Sequence, residues 1–247
     1  MEENSQIKKI LKRSVYFIII ILIAAVIGLI ILKYHVEGEQ NMPFKLSEIL
    51  AISTAEGYQE KESSDKNWDV EVYQTNDIYL DIKKNKNYKE TEVIKSIEIK
   101  NISIDENPKI GNISIYIPNG EEQIYKYDGE NKINNEIIYE GDTKSDIKNL
   151  KISNQGGKII FRVVNKTEKR YTSNEEELKH DGTLLNKVGI NNNDIKFKMS
   201  FDIVINLESE VSFTGKVELE LPTGDITTQG ITNLNETEIN DVIFKRE

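Results

Sequence analysis

The sequence predicts a mainly β protein: one N-terminal transmembrane helix, then an antiparallel β-sandwich domain, with a β-barrel as the alternative. Three observations carry that expectation. Ser14–Leu32 contains no charged residue. Beyond it, apolar residues recur at every second position, most clearly over Ile195–Leu207 and Val211–Leu221. The connections between such runs are short and polar, and no strand–helix–strand alternation occurs.

At about 1.5 Å per residue the uncharged stretch is roughly 28 Å long, close to the hydrocarbon thickness of a bilayer. A helix crosses lipid as a single segment because its backbone groups bond one another. Lys8, Lys9, Lys12 and Arg13 precede the span, whereas Glu37, Glu39 and Glu48 accompany Lys33 and Lys45 after it. Basic residues beside a span stay in the cytoplasm, so residues 1–13 are expected inside and the bulk of the chain outside. The span is set at residues 14–34, with Tyr16 and Tyr34 at its interfaces, residues 35–43 as a polar stalk and 44–247 as the outer domain. Cleavage as a signal peptide near Val36-Glu37-Gly38 competes, but the apolar run exceeds the roughly 7–15 residues of such signals.

Without residues 1–32 the chain keeps 28 basic and 40 acidic side chains, a charge of −12. That surface repels phosphate backbones, which argues against nucleic-acid binding. The same argument applies to anionic lipid and favours a domain held off the membrane. With no cysteine in the chain, disulfides, thiol nucleophiles and thiolate metal sites are excluded. The cysteine-free composition points to a bacterial envelope, and 28 lysines against 4 arginines suit an AT-rich coding sequence. The Asn-x-Ser/Thr triplets at Asn101, Asn112, Asn165 and Asn235 matter only in a glycosylating secretory pathway.

Phe44–Ala55 is apolar and reads as a strand, followed by a charged loop over Gln59–Asn67. Trp68, Val70 and Val72, then Ile78, Leu80 and Ile82, alternate with polar residues. Ile97 and Ile99 are in phase, but Ile102 and Ile104 change parity across Asn101, the mark of a β-bulge. Ile113, Ile115 and Ile117 lead into the turn Pro118-Asn119-Gly120, from which Gln123–Tyr127 is expected to return as a paired strand. Glu136–Glu140 and Ile147–Ser153 are weaker strands. Lys158–Asn165, apolar on both faces, reads as central. Ser173 and Glu176 have capping-box spacing, predicting a helical turn to His180, with a second over Leu184–Val188. Ile195–Leu207 and Val211–Leu221 form the long hairpin, and Val242–Phe244 is the last strand.

The motifs that suggest chemistry have structural readings. Leu221-Pro222-Thr223-Gly224 lacks one residue of a sorting signal and reads as a turn. Asp65, Asn67, Asp69 and Glu71 start like a calcium loop, but Val70 and Asn76 stand where Gly and Glu are needed. Asn191–Asp194 fares no better. His35 and His180 are too few for a metal site, and His180 suits a helix C-terminus. No metal or cofactor is therefore expected. Two sites remain as candidates. Tyr116, Tyr125 and Tyr127 would share one wet hairpin face for a sugar or protein partner. Ala24, Ala25 and Gly28 would allow close approach of a second membrane helix.

The expectation for function is a non-enzymatic, membrane-anchored ectodomain serving envelope structure or partner binding. Its partners would be membrane lipid through Ser14–Leu32 and another envelope or membrane protein, or a wall polymer. A carboxylate-based polysaccharide enzyme and an accessory or sensory subunit of a membrane complex are the alternatives.

Overall fold

The structure, a computed structural model, describes all residues except 1, 41, 64–66, 119–124, 126, 128, 130, 135, 143–149, 173–181, 238, 240 and 241. At residues 2–10, 32–40, 58–63, 67 and 68 it describes the backbone alone.

Helix α1 (Glu2–Gln40) includes the apolar span and residues 35–40 of the stretch read as a stalk. No proline falls within the helix, and Pro43 beyond its end disfavours helical backbone at Met42. Its segment Leu11–Ile31 has a mean hydropathy of 3.1, with none of it buried against the rest of the chain. This helix is long and apolar enough to cross a membrane.

The strands are β1 (Phe44–Ser63), β2 (Asn67–Lys84), β3 (Ile94–Glu106), β4 (Asn112–Tyr116), β5 (Lys132–Ile133), β6 (Ile137–Gly141), β7 (Leu150–Ile152), β8 (Gly156–Thr172), β9 (Phe197–Leu207), β10 (Ser212–Leu221), β11 (Ile231–Glu236) and β12 (Lys245–Arg246). Three short helices, α2 (Leu184–Lys187), α3 (Asn192–Ile195) and α4 (Ile226–Gln229), complete the described elements. One sheet runs β11-β1-β2-β8-β4-β5 and the other β12-β10-β9-β3-β6-β7. The result is a two-sheet sandwich and not a closed barrel. Its ladders are antiparallel except β6 with β7, which is parallel.

The alternation read from the sequence builds the core. Ile78, Leu80, Ile82, Ile159 and Phe161 face inward from the first sheet, and Ile97, Ile99, Phe201, Ile203 and Ile205 from the second. Phe161 meets Phe201 edge-on, with ring centroids 5.3 Å apart. Each such side chain contributes roughly 1.5–3 kcal/mol by leaving water. The bulge expected at Asn101 is present: the β3–β9 register shifts between Lys100 and Ser103, and Asn101 has φ +52°.

β1, β2 and β8 are longer than the sandwich. Their far ends carry a second cluster, in which Val70 and Val72 pack with Leu184, Leu185, Ile195 and Ile226 from the short helices. Between the two clusters lies a buried polar belt. The Ser53 hydroxyl donates to Asn76 Oδ1 at 2.7 Å, and Asn76 Nδ2 donates to the Val163 carbonyl at 3.2 Å.

Several boundaries differ from the sequence reading. The charged run Gln59–Asn67 is mostly strand, because β1 and β2 pair almost to their tips, from Ser63 with Asn67 inward. Ile195 closes α3 and does not open β9. The final strand is Lys245–Arg246, while Phe244 is a core residue. β11 was masked by its alternating asparagines. The turn from Ser173 to His180 lies outside the described residues, whereas the second turn is α2, ended by Gly189 at φ +72°.

Candidate functional site

The outward face of the first sheet carries a cluster of aromatic and charged side chains. The register sets Asp77 of β2 opposite Arg162 of β8, and Arg162 opposite Tyr116 of β4. All three therefore lie in one row, pointing away from the core that Ile78 and Val163 enter. Arg162 donates from Nε to Asp77 Oδ1 at 2.6 Å and from Nη2 to Oδ2 at 2.8 Å. Its third bond runs from Nη1 to the Tyr127 hydroxyl at 2.9 Å. This fork geometry uses what distinguishes arginine from lysine.

Tyr125 and Tyr127, which follow β4 in the chain, lie over this row. Tyr127 stacks on Tyr73 with centroids 5.2 Å apart at 21° and meets Tyr116 edge-on at 5.2 Å and 76°. Tyr125 lies against the Arg162 guanidinium, 4.2 Å from ring centroid to Cζ. Thr75 and Val164, one row along on the same face, are only 2% and 1% exposed. This part of the face is covered, not wet.

The electrostatics follow from that cover. Burial opposes charge on Arg162, but the Asp77 hydrogen bonds and charge outweigh it and hold the guanidinium pKa above its ordinary value. Burial pushes the Tyr125 phenol up, with Asp77 adding to it. Its hydroxyl has no hydrogen-bond partner among the described residues. Beside the cluster, Tyr73 donates to Glu71 Oε2 at 2.7 Å, and Lys166 pairs with Glu71 and lies over the Tyr73 ring.

Tyr116, Tyr125 and Tyr127 thus come together, but not as an open hairpin face. Tyr125 and Tyr127 belong to no ladder, and the strand returning beside β4 is Lys132–Ile133. The remainder of the expected return strand, 123, 124 and 126, lies outside the described residues. The rings turn toward each other and toward Arg162, so the arrangement holds Tyr125 and Tyr127 against the sheet. Sequence reading missed Arg162 and Asp77, 85 positions apart. The available signal was Arg162 itself, a cation among apolar strand neighbours, where burial demands a partner.

Ala24, Ala25 and Gly28 lie within the bare apolar segment of α1, and a side chain at Gly28 would meet nothing within 4 Å. His180 and Asp65 lie outside the described residues. Asp69 pairs with Arg170 at 3.1 Å. Asp194 accepts from Asn191 Nδ2 at 3.3 Å, which with Lys109 holds its carboxyl below the usual range. Among the described residues no three His, Cys, Asp or Glu side chains gather in a metal-binding group.

Comparison with known protein families, curated proteins and solved structures gives no match.

Proposed function

We propose that this chain is a single-pass membrane protein of a bacterial envelope, with its N-terminus in the cytoplasm and its β-sandwich outside. The sandwich serves structure or partner binding, without catalysis. The bare apolar surface of Leu11–Ile31 carries this reading. Ile18, Ile20, Leu22 and Ile30 are about half exposed or more, with no domain surface over them. Such a surface is stable in lipid and aggregates in water. The basic flank of Lys8, Lys9, Lys12 and Arg13 supplies the orientation.

The non-catalytic part of this reading draws support from three carboxylates that are already engaged within the sandwich. Asp77, Glu71 and Glu140 are held by Arg162, Lys166 and Lys151. Carboxylates engaged in this way maintain surfaces and clamps. The partner is another envelope or membrane protein or a wall polymer.

The test is alkaline carbonate extraction of membranes containing the full chain, followed by chemical crosslinking in intact cells. Retention in the membrane pellet and a discrete crosslinked species are expected. Release by carbonate would overturn the anchoring. Cleavage of envelope polysaccharide by the purified chain would overturn the non-enzymatic role.

A further inference from the structure

The strongly acidic outer domain contains one stretch of opposite character. Lys83-Lys84-Asn85-Lys86-Asn87-Tyr88-Lys89 places four lysines and a tyrosine in seven residues, at the end of β2 and the turn beyond it. Lys45 on β1 stands directly opposite Lys83 in the ladder. Like charges placed so are unfavourable. Lys83 is relieved by Asp81 at 2.7 Å, and the Lys84 ammonium donates to Gln155 Oε1 at 3.5 Å. Lys45, Lys86 and Lys89 are exposed and pair with no described carboxylate. Arg246 lines the same groove as Tyr88 and Lys89. The acidic groups nearby are Glu37 and Glu39 near the end of α1, Glu48, which is paired with Lys158, Glu90 and Glu92, with Ser209 donating to Glu92 at 2.8 Å, Glu210, which is paired with Lys95, and Glu247, which accepts from Thr214.

The location of this turn gives the charge a use. The Asn85 N–H donates to the Pro43 carbonyl at 2.8 Å, and its side-chain amide donates to the Met42 carbonyl at 2.9 Å. The basic turn is therefore tied to the chain just after α1 ends at Gln40. From Ile31, the end of the apolar segment, the helix rises roughly 14 Å at about 1.5 Å per residue to Gln40. Headgroups occupy roughly 5–8 Å of that rise. The remaining gap is comparable to the screening length of about 8 Å, and helix tilt shortens it. Over such distances the charges near the turn, where the lysines of Lys83–Lys89 are the most concentrated, outweigh the net charge of the distant surface.

We propose that the Lys83–Lys89 turn, with Lys45 beside it, docks on anionic lipid headgroups of the leaflet from which α1 emerges. The half-buried Tyr88 adds an amphipathic ring suited to that interface. Docking fixes how the sandwich stands on the membrane. It rests on the anchoring of α1 proposed above.

The test uses the full chain reconstituted in vesicles of phosphatidylcholine, with or without phosphatidylglycerol. Because the chain has no cysteine, Asn87→Cys can carry a single fluorophore, read against a quencher attached to lipid headgroups. Thr228→Cys on α4, at the far end of the sandwich, is the control. Quenching at position 87 is expected with phosphatidylglycerol and is expected to fade at high salt. The docked-to-free ratio should drop about fivefold for each lysine lost among Lys84→Gln, Lys86→Gln and Lys89→Gln. Equal quenching in the two lipids, or quenching unchanged in the triple variant, would overturn the proposal. Carbonate extraction of the same vesicles separates failed docking from failed anchoring.

Discussion

The hydroxyl of Tyr139, on β6 of one sheet, donates to the Ile160 carbonyl at 2.5 Å and accepts from the Ile160 N–H at 3.0 Å, on β8 of the other. β4 covers that edge of β8 only from Lys166 to Arg162. Where β4 ends, a single tyrosine satisfies the next pair of backbone groups and ties the two sheets together.

Tyr139→Phe should therefore destabilise the domain by about 1–3 kcal/mol, since it leaves two backbone groups of Ile160 unbonded. Denaturant unfolding of the detergent-solubilised chain checks this. An unchanged midpoint would show that water replaces the hydroxyl at no cost.

Alkaline pH should act on the same bond. Burial raises the Tyr139 phenol to about 12 from an ordinary 10.0, with the Ile160 N–H pulling the other way. A raised acid favours its protonated form when folded, so its stabilisation is complete below pH 10. It declines as pH climbs toward 12, by up to about 3 kcal/mol. Tyr125, raised in the same direction, steepens the decline. Unfolding curves between pH 9 and pH 12 should show the loss, and Tyr139→Phe should flatten it.

Asp77→Asn should leave the Arg162 guanidinium without its counter-charge beneath Tyr125 and Tyr127. Side chains of the pair are 19% and 17% exposed, so a cost of about 2 kcal/mol is expected, below the range for fully buried pairs. Limited proteolysis is the more specific readout. Cleavage in the segment between β4 and β5 should accelerate well before global unfolding, and equal rates in variant and parent would contradict the clamp.

The bulge offers a conformational test. Asn101 holds φ +52°, and its amide donates to Asp202 Oδ2 at 2.7 Å. Asn101→Gly should be nearly neutral, whereas Asn101→Val should cost about 1–2 kcal/mol because β-branched residues resist this backbone region. Thermal unfolding of the two variants distinguishes them.

Where one face of a strand meets the core, the sequence was legible. Phe197 to Leu207 alternates without interruption because every second residue enters the interior, and the parity change at Asn101 marks the bulge. Legibility failed where strands leave the sandwich. Residues Gln59 to Ser63 show no apolar face because β1 there belongs to a ribbon beyond the main core, held by its ladder with β2. The Arg162 cluster was hidden for another reason. Tyr116, Tyr125 and Tyr127 are close in sequence and suggested a hairpin, but their shared partners, Tyr73, Asp77 and Arg162, arrive from distant strands through register alone.

The central claim is that the apolar helix divides the chain between two compartments. Since there is no native cysteine, Ser5→Cys and Thr228→Cys can be labelled separately in intact cells with a membrane-impermeant maleimide. Labelling at position 228, with position 5 reacting only after permeabilisation, is the predicted result. Labelling at 5 and protection at 228, or protection of both until lysis, would contradict it.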